Sequence, residues 1–314
     1  MFVTLLLAVV LDVTQKVRAV AECPCIHREA DPLFPGAGGY RWDCEYVSHG
    51  LTEVPTACWA EDSNVTQVFL DYNEIETVPS DSFVSLTNVR TLSLRHNEIG
   101  IVEEGALSGL SSLEFLDLAS NRLGFLPSEV WNLRELSQLY LGDNNFYVAS
   151  TFNIKNLVNL QVLDLHLNHL SDMPLNSLEP LTKLRKLHLY WNMFVSLPVM
   201  TENHLLEEVL VNGNALLDFP KYMFGNLTSP LTYHFVDNPA YDVWATMLLP
   251  LPDKSHIVMG SDVTVWAEDE QQAEEVLLKD WLVQDGLSNT IDLSNLLMIC
   301  GDKRKQPSPR QPLC

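Results

Sequence analysis

The sequence predicts an α/β solenoid: a curved stack of about 7–8 coils with a parallel β-sheet along its concave side. Three observations carry this. An apolar pattern recurs through the middle of the chain at near-constant spacing. An Asn stands at the same place in each copy. The six cysteines lie only towards the two ends.

The first copy of the pattern is Val65, Val68, Leu70, Asn73 and Ile75, and the second is Val89, Leu92, Leu94, Asn97 and Ile99. Five more follow around Asn121, Asn144, Asn168, Asn192 and Asn214, so that successive Asn residues lie 24, 24, 23, 24, 24 and 22 apart. Each L-x-L core reads as a short strand whose alternate side chains point inward. Where such a strand ends, backbone groups lose their partners. A buried Asn carries donors and an acceptor that satisfy them from coil to coil. The second half of each repeat offers another inward apolar residue: Phe83, Leu107, Val130, Phe152, Leu178 and Phe224. Pro79, Pro127, Pro174, Pro198 and Pro220 mark the turn onto the convex side, where a fixed φ is useful and no ladder donor is needed. Each coil buries its face only against its neighbours, so both ends require caps.

Composition bounds the function. With 41 acidic and 19 basic residues the 314-residue chain has a formal net charge of −22, the opposite of a nucleic-acid footprint. Its 46% hydrophobic content supports a substantial core. Residues 1–21 read as a signal peptide, with an apolar run from Phe2 to Leu11 and small residues at Ala19 and Ala21. Residues 22–62 hold four of the cysteines, 63–241 the repeats, and 242–314 an atypical C-terminal region. No later segment reads as transmembrane. Cys23, Cys25, Cys44, Cys58, Cys300 and Cys314 make an even set, expected as disulfides in an oxidising compartment. Four cysteines at the N-terminal end allow three pairings. Asn64 and Asn226 head glycosylation sequons.

The repeats resemble the 24-residue class of animal extracellular leucine-rich-repeat proteins, such as Toll-like receptors, Slit-type guidance ligands and neuronal adhesion receptors. The resemblance spans residues 23–241 and implies a horseshoe. Cys23-Pro24-Cys25, Asp43-Cys44 and Gly50-Leu51-Thr52-Glu53-Val54-Pro55 are similar to that family's N-terminal cap, although Cys58 follows the Val-Pro instead of preceding it. The family's alternating connectivity implies Cys23–Cys44 with Cys25–Cys58. Asp237-Asn238-Pro239 resembles the opening of the C-terminal cap, with Leu231, Tyr233 and Phe235 as a last, irregular strand, but no Cys-x-Cys follows. Beyond it, Glu268 to Asp285 reads as an acidic amphipathic helix with Val276, Leu277, Trp281 and Leu282 on its apolar side. Cys300 and Cys314 would close a final basic loop.

In this register the positions between the leucines face solvent. One column reads Phe69, Ser93, Asp117, Tyr140, Asp164, His188, Leu210 and His234. Eight strands at roughly 4.8 Å spacing give a surface about 35 Å wide, enough for a protein ligand. Tyr140, Tyr190 and Trp191 are its candidate anchors, with Arg185, Lys186 and His188 as a basic spot beside them. His166 and His169 read as structural, not as a metal pair, because Asn168 between them points inward. Asp164 and His188 occupy one column on adjacent coils, so a carboxylate–imidazole contact is expected, without a nucleophile to make it catalytic. The expectation is a non-enzymatic, secreted or cell-surface module, without cofactor or metal. Its partner would be a protein or glycan ligand, not nucleic acid. The alternative is a structural matrix component similar to the small leucine-rich proteoglycans.

Overall fold

The computed structural model describes residues 23–36, 38–45, 50–59, 64–217, 222–239, 242–244, 251, 255–259, 264–267, 282–285 and 297–300. The chain divides into two compact units, Met1–Leu136 and Ser137–Cys314. The expected signal peptide lies outside the described residues, as does Cys314 with the basic tail around it.

In the first unit a hairpin opens the stack. Strands β1 (Ile26–Glu29) and β2 (Tyr40–Asp43) pair antiparallel, and β2 runs parallel to β3 (Val65–Phe69). A short pair, β4 (Thr77–Val78) and β6 (Ile101–Val102), lies on the return legs, while β5 (Thr91–Ser93) and β7 (Phe115–Asp117) extend the main sheet in parallel. The strands are short because each coil offers only the L-x-L core. Its leucines fill the interior: Leu92, Leu94 and Leu116 are fully buried and Leu118 is 1% exposed.

The Asn ladder does what the pattern requires. Asn121 Nδ2 donates to the carbonyls of Leu94 (3.0 Å), Leu118 (3.1 Å) and Ala119 (3.2 Å), and its Oδ1 accepts from the Ile99 N–H at 2.9 Å. One buried side chain thus serves two coils.

The N-terminal cap corrects the expected disulfide pairing: the bonds are Cys23–Cys58 and Cys25–Cys44. The hairpin decides it. Ile26 lies opposite Asp43, which sets Cys25 across from Cys44 with their Cα atoms 4.4 Å apart. Cys58 closes the turn Thr56–Cys58 and is left for Cys23. Beside it Trp59 stacks on Phe83 and donates its indole N–H to the Ser82 carbonyl at 3.1 Å.

The cap also covers the sheet face of this unit, which the sequence reading left open to solvent. Phe34 meets Phe69 and Phe115 edge-on, at centroid distances of 5.1 and 5.2 Å. Gln67 Nε2 donates to the carbonyls of Asp31, Phe34 and Pro35, and the Thr91 hydroxyl donates to Pro35. Phe69, expected to face solvent, is therefore buried; Ser93, Asp117 and, in the second unit, Asp164 of the same column are buried as well. An apolar Phe69 at the start of that column is well suited to receive Phe34.

In the second unit β8 (Gln138–Tyr140), β9 (Val162–Asp164), β10 (Lys186–His188), β11 (Glu208–Leu210) and β12 (Thr232–His234) run parallel in register. The stack does not stop there. After β13 (Asp242–Trp244), β14 (His256–Met259) pairs with β12; after β15 (Thr264–Ala267), β16 (Leu282–Asp285) pairs with β14. β13, β15 and β17 (Leu297–Cys300) form a second parallel sheet. Two expectations change accordingly. Leu231, Tyr233 and Phe235 are not the last strand, and Asn238 is a working ladder residue that accepts from the Leu216 N–H at 3.2 Å. Of the acidic helix, residues 268–281 lie outside the described residues, and Leu282–Asp285 is strand, because β14 presents an edge that this segment pairs with.

Return legs in both units are 3-10 turns and extended pieces, with no α-helix among the described residues. A coil of 22–24 residues leaves little chain after its strand and turn, which suits the short 3-10 form. Of the inward residues expected there, Phe83, Leu107, Val130, Leu178 and Phe224 are buried. Phe152 is only half-buried, and Ile154, on the turn Ile154–Asn156, takes the inward place.

A turn at the end of each strand sets the next surface. The residue before the ladder Asn adopts a left-handed conformation: Tyr72, His96 and Ser120 in the first unit, and Asp143, Leu167, Trp191, Gly213 and Asp237 in the second. Such φ values swing the chain off the sheet towards the return leg. They are unusual for bulky side chains such as those of Leu167 and Trp191.

Candidate ligand-binding face

On the sheet face of the second unit Lys186 is exposed and Tyr140, His188 and Tyr190 are partly exposed, while Asp164 is buried. Strand alternation aims Lys186, His188 and Tyr190 outward, with Leu187 and Leu189 fully buried between them. The parallel register aligns Tyr140 with Asp164 and Asp164 with His188 on successive coils.

At the centre lies a chain of alternating acids and imidazoles. His166 Nδ1 is 2.5 Å from Asp164 Oδ1, and His188 Nδ1 is 3.3 Å from Asp164 Oδ2. His188 Nε2 then lies 2.5 Å from Glu208 Oε1. Burial alone would raise the Asp164 pKa. The hydrogen bonds and charge supplied by His166 and His188 outweigh it and hold the carboxyl well below the usual carboxylate range. Burial would lower the His188 pKa, but Asp164 and Glu208 together raise it. The four residues are thus tied to one another by hydrogen bonds, and none of them is a Ser, Thr or Cys nucleophile.

Aromatic rings build on this base. Tyr190 stacks on His166 with centroids 4.7 Å apart and planes 16° from parallel, and it lies 6.1 Å from His188. The other side of His166 rests on Gly142, where a Cβ would fall 2.1 Å from Nδ1. Tyr140 is half-buried, and its hydroxyl donates to Gln138 Oε1 at 3.1 Å.

Of the six candidate residues, Lys186, His188 and Tyr190 share one strand and its exit, and Tyr140 lies on the same face two coils earlier. Arg185 precedes β10, and its exposed guanidinium pairs with Glu207. Trp191 leaves the sheet altogether: its left-handed turn carries the half-exposed indole over Gly213 of the next coil. Glu208 was missed in the sequence. It shares the Lys186 column, and only the register of β10 with β11 shows that it reaches His188. The sequon residues Asn64 and Asn226 are both exposed.

Comparison with known proteins agrees with this architecture. The family description "Leucine rich repeat" matches residues 63–123 and 134–194. Among solved structures the chain is similar to that of the TLR13–ssRNA13 complex, at 23% identity and a TM-score of 0.62, over 82% of this chain and 35% of that one. It is also similar to the leucine-rich repeat domain of APL1B, at 19% identity and a TM-score of 0.53, over 65% of this chain and 57% of that one. The chain thus spans about a third of the first structure and somewhat over half of the second. At these identities the likeness is one of fold. No curated protein matches the chain. The repeat period, the Asn ladder and the family match converge, and residues 63–123 and 134–194 are leucine-rich repeats.

Proposed function

We propose that this chain is a secreted or cell-surface recognition module, not an enzyme, and that its second unit binds a macromolecular ligand on the sheet face. The observation that carries the reading is the contrast between the two faces. In the first unit the cap loop around Phe34 already occupies the sheet; in the second no such loop lies on it among the described residues, and it holds a partly exposed, ordered platform of Tyr190, His166 and His188. A pre-organised aromatic platform loses little entropy on binding. Lys186 and Tyr140 extend it, with Arg185 and Trp191 at its margins. Two disulfides and two exposed sequons support an extracellular setting. An RNA ligand such as the one in the TLR13 complex is disfavoured by the net charge of −22, so a protein or glycan ligand is the better match.

Affinity capture from extracellular protein and glycan mixtures, read by mass spectrometry, tests this. Partners held by the wild-type chain and lost by Tyr190→Ala, at a cost above about 1 kcal/mol, would support it. Equal capture by Tyr190→Ala and by Lys186→Glu would refute it.

A further inference from the structure

The geometry points to a second recognition surface, on the flank where the strands of the second unit turn into their return legs, for a cationic partner segment with apolar anchors. It goes beyond the sheet-face reading and shares with it only Trp191, at the margin between the two. Tyr147, Leu167, Trp191, Met193, Val195 and Leu217 are between 47% and 70% exposed. Tyr147, Val195 and Leu217 stand three residues after the ladder Asn of their coils, Leu167 and Trp191 one before it, and Met193 one after it. The backbone keeps those turns in contact: the Leu217 N–H donates to the Val195 carbonyl at 3.4 Å, and the Met193 N–H to Leu170 at 2.8 Å. Tyr147 stacks on His169 at 4.8 Å, and the Trp191 ring covers Gly213. The result is an apolar strip across the turns of neighbouring coils, joined to Tyr147 through His169 and broken by Ser171, and not scattered single exposure.

Stability does not account for it. Leu167 and Trp191 sit at φ 48° and 55° and stay about half exposed, in a conformation that disfavours bulky side chains and is more easily met by the Ser, Asp or Gly of the turns at Ser120, Asp143, Gly213 and Asp237. In the first unit the positions after the ladder Asn carry charge at Glu74, Glu76, Glu98 and Arg122, the last two paired at 3.1 Å, while Tyr72 and His96 hold the places of Leu167 and Trp191 and stack on each other.

Charge selects the occupant. Exposed Asp143, Asp172 and Asp237 lie along the strip, and its turns (residues 143–148, 167–172, 191–196, 213–217 and 237–239) contain no Lys or Arg. Two copies of a chain carrying −22 would meet there with like charges. A segment presenting Lys or Arg between large apolar residues satisfies both the strip and its rim.

The test uses the whole chain and a labelled peptide of alternating Leu or Trp and Lys, beside a counterpart with Glu for Lys, in fluorescence anisotropy. The Lys peptide should bind at least about tenfold more tightly than the Glu peptide, and added salt should weaken it. The exposed-site variant Leu167→Ser/Met193→Ser/Leu217→Ser should lose about tenfold, whereas Tyr190→Ala on the sheet should bind as wild type. Asp143→Asn/Asp172→Asn should weaken binding and flatten its salt dependence. Equal binding of both peptides, or unchanged affinity in the triple Ser variant, would overturn the proposal. So would sedimentation of the wild type as a dimer that the triple variant converts to monomer, since the strip would then serve self-association. Loss of peptide binding in Tyr190→Ala with the triple variant unaffected would move the site to the sheet and overturn the flank alone.

Discussion

Tyr190 lies flat on His166, with ring centroids 4.7 Å apart, and that stack exists because Gly142 leaves room for the imidazole on its other side. Gly142→Ala would set a methyl group 2.1 Å from His166 Nδ1. The ring must then move, and the stack with Tyr190 should be lost. We expect a cost of about 1–3 kcal/mol, as for other overpacked sites. The check is the ring-current shift of the His166 protons in NMR spectra; unchanged shifts would mean that Gly142 does not set the ring's position.

Asn168 carries the ladder in the second unit. Its Nδ2 donates to the carbonyls of Leu141, Leu165 and His166 at 3.0–3.1 Å, and its Oδ1 accepts from the Phe146 N–H at 3.0 Å. Asn168→Ala strands these buried groups and should destabilise the chain by about 1–3 kcal/mol, as should Asn121→Ala in the first unit. Urea midpoints measure it. Midpoints that stay in place would show that the ladder is not what satisfies the backbone there.

The acid–imidazole chain gives stability a definite pH dependence. Asp164 is depressed, so its contribution is present above the ordinary Asp pKa of about 4 and lost as pH falls through the folded value. His188 is raised, so its contribution is full below about 6.5 and lost as pH rises through the folded value. Both act together between those limits. His188→Gln should therefore lower the urea midpoint more at pH 5.5 than at pH 9. An equal loss at both would contradict the assignment.

Asp71 runs the other way. Burial, with repulsion from Asp117 and Glu45, pushes its pKa up to about 7, although Ser93 and the Arg95 N–H donate to it and oppose the shift. The folded state binds a proton that the unfolded chain has already released, so stability falls as pH rises from about 4 through that value. Asp71→Asn keeps an acceptor without the charge. It should raise the midpoint at pH 8.5 and leave it nearly unchanged at pH 4.

The pairing Cys25–Cys44 makes a further prediction. It closes a span of 19 residues, and Cys25→Ser/Cys44→Ser should cost about 3 kcal/mol. Peptide mapping of the unreduced chain should find Cys23 joined to Cys58; a Cys23–Cys44 peptide would refute the hairpin register.

The parts legible in the sequence are those with a repeating physical demand. Leu-x-Leu must alternate and Asn121 or Asn168 must serve two coils, so strand positions and ladder follow from spacing alone. The cysteine pairing was not legible, because it depends on Ile26 facing Asp43 across a hairpin that no repeat announces. Strands β14 and β16 escaped because Ile257-Val258-Met259 has no ladder Asn after it and Leu282–Asp285 has neither the L-x-L core nor an Asn, and their places come from the edges that β12 and then β14 offer. At the face, Lys186, His188 and Tyr190 follow from alternation. Glu208 and His166 do not, since their role lies in side-chain reach between coils. Burial of Phe69 was hidden for the same reason: the cap loop that covers it stands more than thirty residues earlier in the chain.

Footprinting of a captured complex tests the central claim most directly. Lysine acetylation and aromatic oxidation, read by mass spectrometry with and without the partner, report which surface is covered. The account predicts that Lys186 and Tyr190 become protected, while exposed Lys155 and Phe125 react as before. Unchanged reactivity at Lys186 and Tyr190, with protection confined to residues of the first unit, would contradict it.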